Sequence, residues 1–416
     1  EDADGSRHIL DFATFRGQDL DADLAGRDFT VNAIAIDPRT REVFDPMGGG
    51  MDLKERKLRA CSVTSIPDDP VRILRAIRLA GEYGFTIFPE TRLAMKNNAS
   101  LLANVSMERV RDELFRILEG KHPATCLRAL DMLGALEIIL PEVTTMKCVA
   151  QPAPHQKDVW EHALATCSSL ESMLRLVEEG NASGEADDWV NGLFILRIGK
   201  YRQAIINHFA LESAGQRKLR GLLFLAALYH DVAKPQTMKL DQEGQLHFWE
   251  HDQQGAELVG KRSRQLALSN DENTRLEIII RNHMRFIFHV HRLVVDAKLP
   301  SRRAIYRYFR DSGAASVDLV LLGLADLRAT YLETITQETW AAALDAACLF
   351  LENWYEKPDE SINPPPLING IDIMEELHLT PGPKIGELLE YIREAQAMGD
   401  VKTHDEAVEL ARKKIN

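Results

Sequence analysis

The change of hydrophobic periodicity near residue 62 constrains the fold of this chain most strongly. Short β-like segments precede it, at 9–15, 31–36 and 42–44, and a glycine-rich turn at 48–50 closes the region. Beyond that turn, strand signals almost vanish and apolar residues recur at helical spacing to about residue 355. The sequence therefore predicts a mostly α protein, in which the tail of an α/β domain precedes a long α-helical body.

Capping residues and prolines place several helices. Asp69-Pro70 supplies an N-cap and a first-turn proline, and Gly81 and Gly84 mark the end of the same helix. Further helices are predicted at about 89–102, 107–119, 123–135 and 158–178. Residues 179–188 are polar and predict a surface loop, whereas the consecutive prolines of 363–366 predict a stiff linker.

Composition narrows the class of protein. The chain has 416 residues, too many for one core, and 45% of them are hydrophobic, without a run of about 18 that would predict a membrane span. Its five cysteines are scattered and form no C-x-x-C pair, which favours reduced thiols and a cytoplasmic location. The first residues are acidic and unlike a signal peptide, and because residue 1 is Glu rather than Met we expect a fragment or a processed form.

The net charge of −13 argues against a generally basic surface for nucleic acid. It leaves room for local basic patches, and one run of eight Arg and Lys residues lies between Arg281 and Arg310. A solvated helix face explains this run equally well. Its role therefore stays open at the level of sequence.

The most informative motif is a set of arginines three residues apart. Arg72, Arg75 and Arg78 fall on one face of the predicted helix, close to Asp69. The spacing alone is also typical of a solvated arginine stripe. Two further segments precede it, Gly26 to Ala35 and Asp45 to Leu53.

Together and in this order, the three segments resemble the conserved nucleotide-binding motifs of class II CCA-adding enzymes and bacterial poly(A) polymerases. A fourth segment, Met107 to Leu114, resembles the helix motif that follows in that family. The four segments cover roughly the first 120 residues and are specific as a set.

The resemblance implies a role for each matching residue. Asp69 and Arg72 would read the edge of the incoming base, because a carboxylate accepts from the exocyclic amine of C or A and a guanidinium donates to the ring nitrogen. Arg27, Arg75 and Arg78 would hold the triphosphate, and Asp28 would lie near the ribose. The implied partners are ATP or CTP and the 3′ end of tRNA or another RNA.

The chain departs from the family pattern at two places. The family usually has arginine where this chain has Gly26, so one cationic contact is missing. More seriously, the family holds two Mg²⁺ ions with an Asp-x-Asp pair after a Gly-rich turn, which should precede Ile9. Asp2 and Asp4 have the spacing but lack the turn, so we interpret them as coincidental. Asp11 matches a third, supporting catalytic carboxylate. As given, the chain is expected to transfer nucleotide barely or not at all.

A second constellation consists of histidines and aspartates. His230 and Asp231 are adjacent at the end of an apolar helix, with His162 before them and Asp326 after them, which resembles the HD phosphohydrolase superfamily. His251 and His283 match extra histidines of HD proteins that carry a second metal. The resemblance implies that all six bind Mg²⁺ or a divalent transition metal, which would convert a bound water into hydroxide.

Other residues near this set are less informative. Lys234 is a candidate for neutralising a phosphate oxygen. Three more histidines lack the pattern and are predicted to be surface residues: His155, His289 and His291. The Gly/Pro turn at 379–386 would offer backbone N–H groups to an RNA phosphate, although a plain helix connection explains it as well.

The resemblance implies four parts: the end of a truncated nucleotidyltransferase head (1–62), a nucleotide-binding neck and RNA-binding helical region (63–150), an HD domain (151–355) and a C-terminal helical module (356–416). We therefore expect an RNA 3′-end nucleotidyltransferase that adds C and/or A. One alternative is an HD-type phosphohydrolase with the head as scaffold, and another is a helical RNA-binding protein with both sites decayed. The oligomeric state and the added sequence (CCA, CC, A or poly(A)) stay open.

Overall fold

The structure, a computed structural model, describes residues 12–15, 17–180 and 188–415. The chain forms two compact units, Glu1–Ile139 and Leu140–Asn416. Asp11 and most of the predicted loop at 179–188 lie outside the described residues. Within the described part, no helix combines the length and the apolar character that crossing a membrane needs.

The first unit is mainly helical. Its helices are α1 (Leu20–Ala25), α2 (Gly49–Lys54), α3 (Ser65–Asp68), α4 (Arg72–Tyr83), α5 (Pro89–Asn97), α6 (Met107–Leu118), α7 (Pro123–Met132) and α8 (Ala135–Ile139), with 3₁₀ segments at Thr30–Asn32 and Ala99–Asn104. Its strands are β1 (Ala35–Ile36), β2 (Val43–Phe44), β3 (Lys57–Leu58) and β4 (Thr86–Ile87). β1 pairs antiparallel with β2, and β3 pairs parallel with β4.

Strand structure in this unit is shorter than the sequence predicts. The predicted strand at 31–36 is mostly wrong, because Thr30–Asn32 forms a 3₁₀ turn. Residues 12–15 form no strand, and Phe12 is almost fully exposed. The glycine-rich segment does not simply turn: the Asp45 carboxylate accepts from the N–H groups of Gly49 and Gly50, which starts α2. A Cβ at residue 49 would lie 2.0 Å from the Thr30 carbonyl oxygen, so only glycine fits there.

Helix α4 begins two residues later than the sequence predicts. Asp69 has φ −146° and ψ 88°, which is not helical, because the following Pro70 disfavours the α region at the preceding residue. Gly84 ends the helix in the left-handed conformation, as predicted. The apolar face of α4 is buried and its arginine face points outward, with α6 and α7 as packing neighbours. Asp69 is thus a loop residue held just before a rigid helix.

The second unit is also helical. Its helices are α9 (Pro141–Thr144), α10 (Val159–Glu179), α11 (Trp189–Ile198), α12 (Arg202–Ala210), α13 (Leu219–Tyr229), α14 (Lys234–Thr237), α15 (His251–Gln265), α16 (Asn270–Asp296), α17 (Arg302–Ser312), α18 (Ser316–Tyr331), α19 (Gln337–Tyr355), α20 (Pro358–Ser361), α21 (Gly370–Leu377), α22 (Pro383–Met398) and α23 (His404–Ile415). A hairpin of β5 (Lys239–Leu240) and β6 (Leu246–His247) lies between α14 and α15.

The core of the second unit is built around α13 and α18, whose side chains are almost all buried. Helices α10 and α16 pack against this pair. After the proline linker, α21, α22 and α23 enclose a small apolar cluster of their own, centred on Ile373, Leu388 and Ile392. The mostly α architecture predicted from the sequence is therefore confirmed.

Candidate nucleotide site and candidate metal centre

An open cavity of about 520 Å³ lies in the first unit. Its lining is dominated by charged side chains: Arg27, Asp28, Asn32, Asp69, Val71, Arg72, Arg75, Arg109, Asp112, Glu113 and Arg116. Five of the six residues predicted to bind nucleotide are in this lining. The sixth, Arg78, is not.

Asp69 presents one carboxylate oxygen that has no partner. Its Oδ2 accepts a hydrogen bond of 2.8 Å from Arg109 Nη2 and lies 3.9 Å from Arg72 Nε. Its Oδ1 is shielded from solvent and has no hydrogen-bond partner among the described residues. A buried polar atom left unpaired costs about 1–3 kcal/mol. The site therefore contains an acceptor that a ligand N–H group would satisfy.

Arg72 is held in place by groups on two other segments. Its Nη1 donates to the carbonyl oxygen and to Oγ of Ser65, at 3.1 and 2.9 Å, and its Nη2 donates to the carbonyl oxygen of Gly26 at 3.0 Å. The side chain is 12% exposed. These bonds fix the guanidinium next to Asp69, so the two charged groups form a rigid pair.

Asp28 is oriented by several donors. Its Oδ1 accepts from the Phe29 N–H at 2.8 Å and from Asn32 Nδ2 at 3.0 Å, while its Oδ2 forms an ion pair with Arg75 Nε. Arg27 is half exposed and lies 3.3 Å from Asp23. Asn32 thus belongs to the site although the sequence analysis did not single it out.

Arg78 is not itself in the lining of the cavity but contacts the lining residue Glu113. Its Nε donates to Glu113 Oε2 at 2.8 Å and its Nη1 donates to Glu82 at 3.1 Å, with 15% of the side chain exposed. Glu113 also pairs with Arg116, at 2.8 Å. The sequence marked α6 as a motif but assigned none of its residues to the site, although Arg109, Glu113 and Arg116 are spaced to lie on one helical face.

Six residues in the second unit converge from separate elements. His162 lies near the start of α10, and His230 and Asp231 directly follow α13. His251 is the first residue of α15, His283 lies in the middle of α16, and Asp326 lies in α18. All six are buried. They form two groups that can each hold a metal ion, His162–His230–Asp326 and Asp231–His251–His283.

In the first group, nitrogen and oxygen atoms face one another closely. His162 Nε2 lies 3.3 Å from His230 Nε2 and 3.0 Å from Asp326 Oδ1. The Nδ1–H of His230 donates to the Ala227 carbonyl oxygen at 2.8 Å, which leaves Nε2 as the free ligand atom. Burial opposes ionisation of Asp326, but the neighbouring His162 and His230 outweigh it and lower the pKa of this carboxyl group.

The second group, Asp231–His251–His283, gives clearer evidence than the first that a cation fits between its ligand atoms. The Nδ1–H groups of His251 and His283 donate to the carbonyl oxygens of Phe248 and Ile280, at 2.7 and 2.6 Å. With Nδ1 as the donor, the neutral form of each ring has its lone pair at Nε2, and the two Nε2 atoms are only 3.2 Å apart. Because two lone pairs repel at this distance, the donor set fits a bound cation.

Asp231 lies between the two groups and turns one oxygen to each. Its Oδ2 is 3.2 Å from His230 Nε2, and its Oδ1 is 3.5 and 3.7 Å from the Nε2 atoms of His251 and His283. Burial opposes its ionisation, but His230 and Lys234 hold the pKa of the Asp231 carboxyl group well below its usual value. One carboxylate is therefore placed to contact both groups.

Two further residues, Lys234 and His155, lie near this cluster. Lys234 Nζ lies 2.6 Å from Asp231 Oδ2 and 2.7 Å from Gln151 Oε1, so it neutralises a carboxylate. His155 is partly buried with its ring 5.0 Å from that of His162, and burial lowers its pKa to about 4. Its predicted surface position is therefore wrong. No sequence signal marked His155, because a loop brings it to the cluster.

Comparison with known proteins matches four segments of the chain to family models. Residues 6–59 match the Poly A polymerase head domain, and 84–147 match the family described as "Probable RNA and SrmB- binding site of polymerase A". Residues 203–306 match the HD domain, and 363–411 match tRNA nucleotidyltransferase domain 2.

Curated relatives extend over nearly all of the chain. The A-adding tRNA nucleotidyltransferase of Deinococcus radiodurans is 31% identical over 93% of this chain and 78% of its own length. The CC-adding tRNA nucleotidyltransferase of Thermus thermophilus is 30% identical over 96% of this chain and 78% of its own length. The chain therefore belongs to the tRNA nucleotidyltransferase family, the family of CCA-adding enzymes and poly(A) polymerases, and it carries an HD domain.

Solved structures show the same fold. An apo CCA-adding enzyme matches 96% of this chain and 74% of its own, at 21% identity and a TM-score of 0.56. The Thermotoga maritima CCA-adding enzyme complexed with tRNA matches 95% of this chain and 74% of its own, at 20% identity and a TM-score of 0.53.

Proposed function

We propose that this chain acts in template-independent addition of C and/or A to the 3′ end of tRNA or another RNA, with the base selected by Asp69 and Arg72. The observation that carries the proposal is the unpaired Oδ1 of Asp69, beside an arginine whose position is fixed by backbone carbonyls. The cavity that these two residues line belongs to a unit with a matching polymerase head domain.

The chemistry of the four bases supports this assignment. Cytosine and adenine each carry an exocyclic amine next to a ring-nitrogen acceptor, which complements a carboxylate acceptor beside a guanidinium donor. Guanine and uracil present a carbonyl beside a ring N–H, so both contacts would be mismatched. Rejection is strong because the mismatch leaves buried polar groups of the protein unpaired.

The remaining cavity residues suit the rest of a nucleoside triphosphate. Arg27 and Arg75 supply guanidinium groups for phosphate oxygens, and Asp28 supplies a carboxylate for a ribose hydroxyl. We assign Arg78 the role of holding Glu113 and α6, since it is not in the cavity lining and its Nε donates to Glu113. Nucleotidyl transfer in this family uses divalent metal, which we take to be Mg²⁺ held by carboxylates that include Asp11.

The experiment measures nucleotide preference in the protein. Asp69→Ala and Arg72→Ala should each reduce the preference for CTP and ATP over GTP and UTP, measured as kcat/KM on a tRNA lacking its 3′ end. Arg92→Ala removes an exposed arginine of the same unit and serves as the matched control. An unchanged preference in both site variants would exclude the proposed base reading.

A second function is favoured by the two buried ligand groups. We propose that the HD domain is a metal-dependent phosphohydrolase, in which His162, His230, Asp231, His251, His283 and Asp326 hold Mg²⁺ or divalent transition metal ions. The convergence of Nε2 lone pairs around Asp231 supports the proposal. A bound cation would supply a hydroxide nucleophile there.

Metal analysis and phosphatase assays test this second function together. The purified chain should contain divalent metal and should hydrolyse a phosphate monoester or a cyclic phosphate, and His230→Ala should lower the metal content and abolish the hydrolysis. His291→Ala replaces an exposed histidine of α16 and should change neither. If the wild-type chain binds metal yet hydrolyses none of these substrates, the site is structural rather than catalytic.

A further inference from the structure

A groove on the second unit combines exposed apolar side chains with arginines. It encloses about 410 Å³ between the later part of α16 and the start of α17. Phe288 and Met284 lie in it with 58% and 42% of their surface exposed. Arg285, Arg303 and Arg307 also line it. Large apolar side chains that a folded protein leaves exposed in a groove are a common sign of a binding site.

The charge around the groove contrasts with the rest of the chain. The protein carries a net charge of −13, yet residues 281–310 contain eight Arg and Lys side chains and one carboxylate, Asp296. Carboxylates from neighbouring elements compensate only part of this charge. Arg285 pairs with Asp311 at 2.6 Å, while Arg303 and Arg307 share the single carboxylate of Glu394, at 3.1 and 2.8 Å.

We propose that this groove binds an unpaired nucleotide of an RNA, with the base stacked on Phe288 and the phosphates held by Arg303 and Arg307. Aromatic rings stack on bases of any sequence, and guanidinium groups bind phosphate oxygens in a bidentate manner. Half of each arginine side chain is accessible, with 54% and 51% exposed. The proposal extends the RNA-binding function proposed above to a second place on the chain, and it rests on that function.

An RNA suits this surface better than a lipid membrane. A helix that lies on a membrane must offer its own apolar face to the lipid. The apolar face of α16 is already used inside the protein, where Ile279, Phe286 and Val290 are buried. Besides Phe288, α16 leaves only Met284 and Val295 as exposed large apolar residues, and arginines lie one helical turn from Phe288 at 285 and 292 and two turns from it at 281.

Glu394 provides a test in which binding should improve. Because its carboxylate competes with phosphate for Arg303 and Arg307, Glu394→Gln should tighten RNA binding, by about twofold or more. Phe288→Ala should weaken binding by about fivefold or more while leaving the salt dependence unchanged. Arg307→Ala should weaken binding and reduce the slope of log K against log salt by about one.

The assay is fluorescence anisotropy of a labelled tRNA, titrated with the full chain at several salt concentrations. Leu196→Ala and Arg264→Ala are the controls, because they remove an exposed apolar residue and an exposed arginine elsewhere on the same unit. Ultraviolet crosslinking provides a second measurement: the tryptic peptide of residues 286–292, which contains Phe288, should carry a nucleotide mass.

The outcomes separate this inference from the proposed function. Wild-type RNA affinity that none of the three groove variants changes beyond the controls, without the crosslinked peptide, overturns the groove alone. A wild-type chain that binds no RNA overturns both. Binding to anionic phospholipid vesicles that Phe288→Ala abolishes, with RNA affinity unchanged, overturns the RNA assignment in favour of a membrane.

Discussion

Arg109→Ala offers the most specific check on the nucleotide site, because Arg109 holds Asp69 without lying beside it in sequence. Its Nη2 donates to Asp69 Oδ2 at 2.8 Å, which leaves Oδ1 as the oxygen without a partner. The Asp69 carboxylate also raises the pKa of Arg109, so the guanidinium stays charged. Removing this contact allows the Asp69 carboxylate to rotate.

The expected effect on stability is small and the effect on selectivity is larger. The Arg109 side chain is 54% exposed, and exposed ion pairs contribute about 0.2–1 kcal/mol to the free energy of unfolding. Selectivity instead depends on the Asp69 carboxylate keeping its orientation when a mismatched base is in the cavity. A loss of about 1–1.4 kcal/mol there, the value of one hydrogen bond, corresponds to a roughly five- to tenfold loss of preference.

The assay compares kcat/KM for CTP, ATP, GTP and UTP in the protein, together with the thermal unfolding midpoint. The preference for CTP or ATP should fall by about five- to tenfold while the midpoint stays close to wild type. Arg92→Ala should change neither quantity. If Arg109→Ala lowers kcat/KM for all four nucleotides equally, Arg109 contributes to general binding and the positioning role is refuted.

Three further predictions concern the buried charges. Arg78→Ala should lower the free energy of unfolding by about 1.5–3 kcal/mol, since its donors bind carboxylates rather than the cavity, and should weaken triphosphate binding less than Arg75→Ala does, as calorimetry can measure. His251→Ala should remove about one divalent ion per chain, measured by mass spectrometry of bound metal, because the other ligand group keeps its three members. Arg275 and His208 lower the pKa of the buried Asp318 despite its burial, so this stabilisation is present above the ordinary value of 3.8 and is lost as the pH falls through the lowered pKa. Asp318→Asn should therefore cost about 3 kcal/mol near pH 7 and less at pH 3, measured by urea unfolding.

Local signals in the sequence were sufficient for most helices. Pro89 and Pro123 occupy the first turns of α5 and α7, and Asp158 caps α10 by accepting from the Glu161 N–H. The sequence does not predict the hairpin of β5 and β6, because strands of two residues are too short to show alternation of apolar and polar residues.

The features of the two sites that the sequence does not predict depend on side-chain contacts between residues far apart in the chain. The motif order predicted that Asp69 and Arg72 belong together, and the structure brings both to one cavity. The same motifs placed Arg78 with them, but packing of α4 against α6 directs its guanidinium to Glu113. Such partners depend on the docking of two helices and are not encoded in the spacing within either one.

Asp69 and Asp231 each have one buried carboxylate oxygen without a hydrogen-bond partner among the described residues, Oδ1 of Asp69 and Oδ2 of Asp231. Each carboxylate also forms an ion pair, with Arg109 in one case and with Lys234 in the other. Each therefore combines two functions, an ion pair and an acceptor for a bound ligand. A substitution to alanine removes both functions and cannot tell them apart. Asparagine keeps the shape but offers one acceptor and one donor. Asp69→Asn should therefore retain nucleotide binding while shifting base preference, whereas Asp231→Asn should weaken metal binding, because an amide is a poorer ligand than a carboxylate.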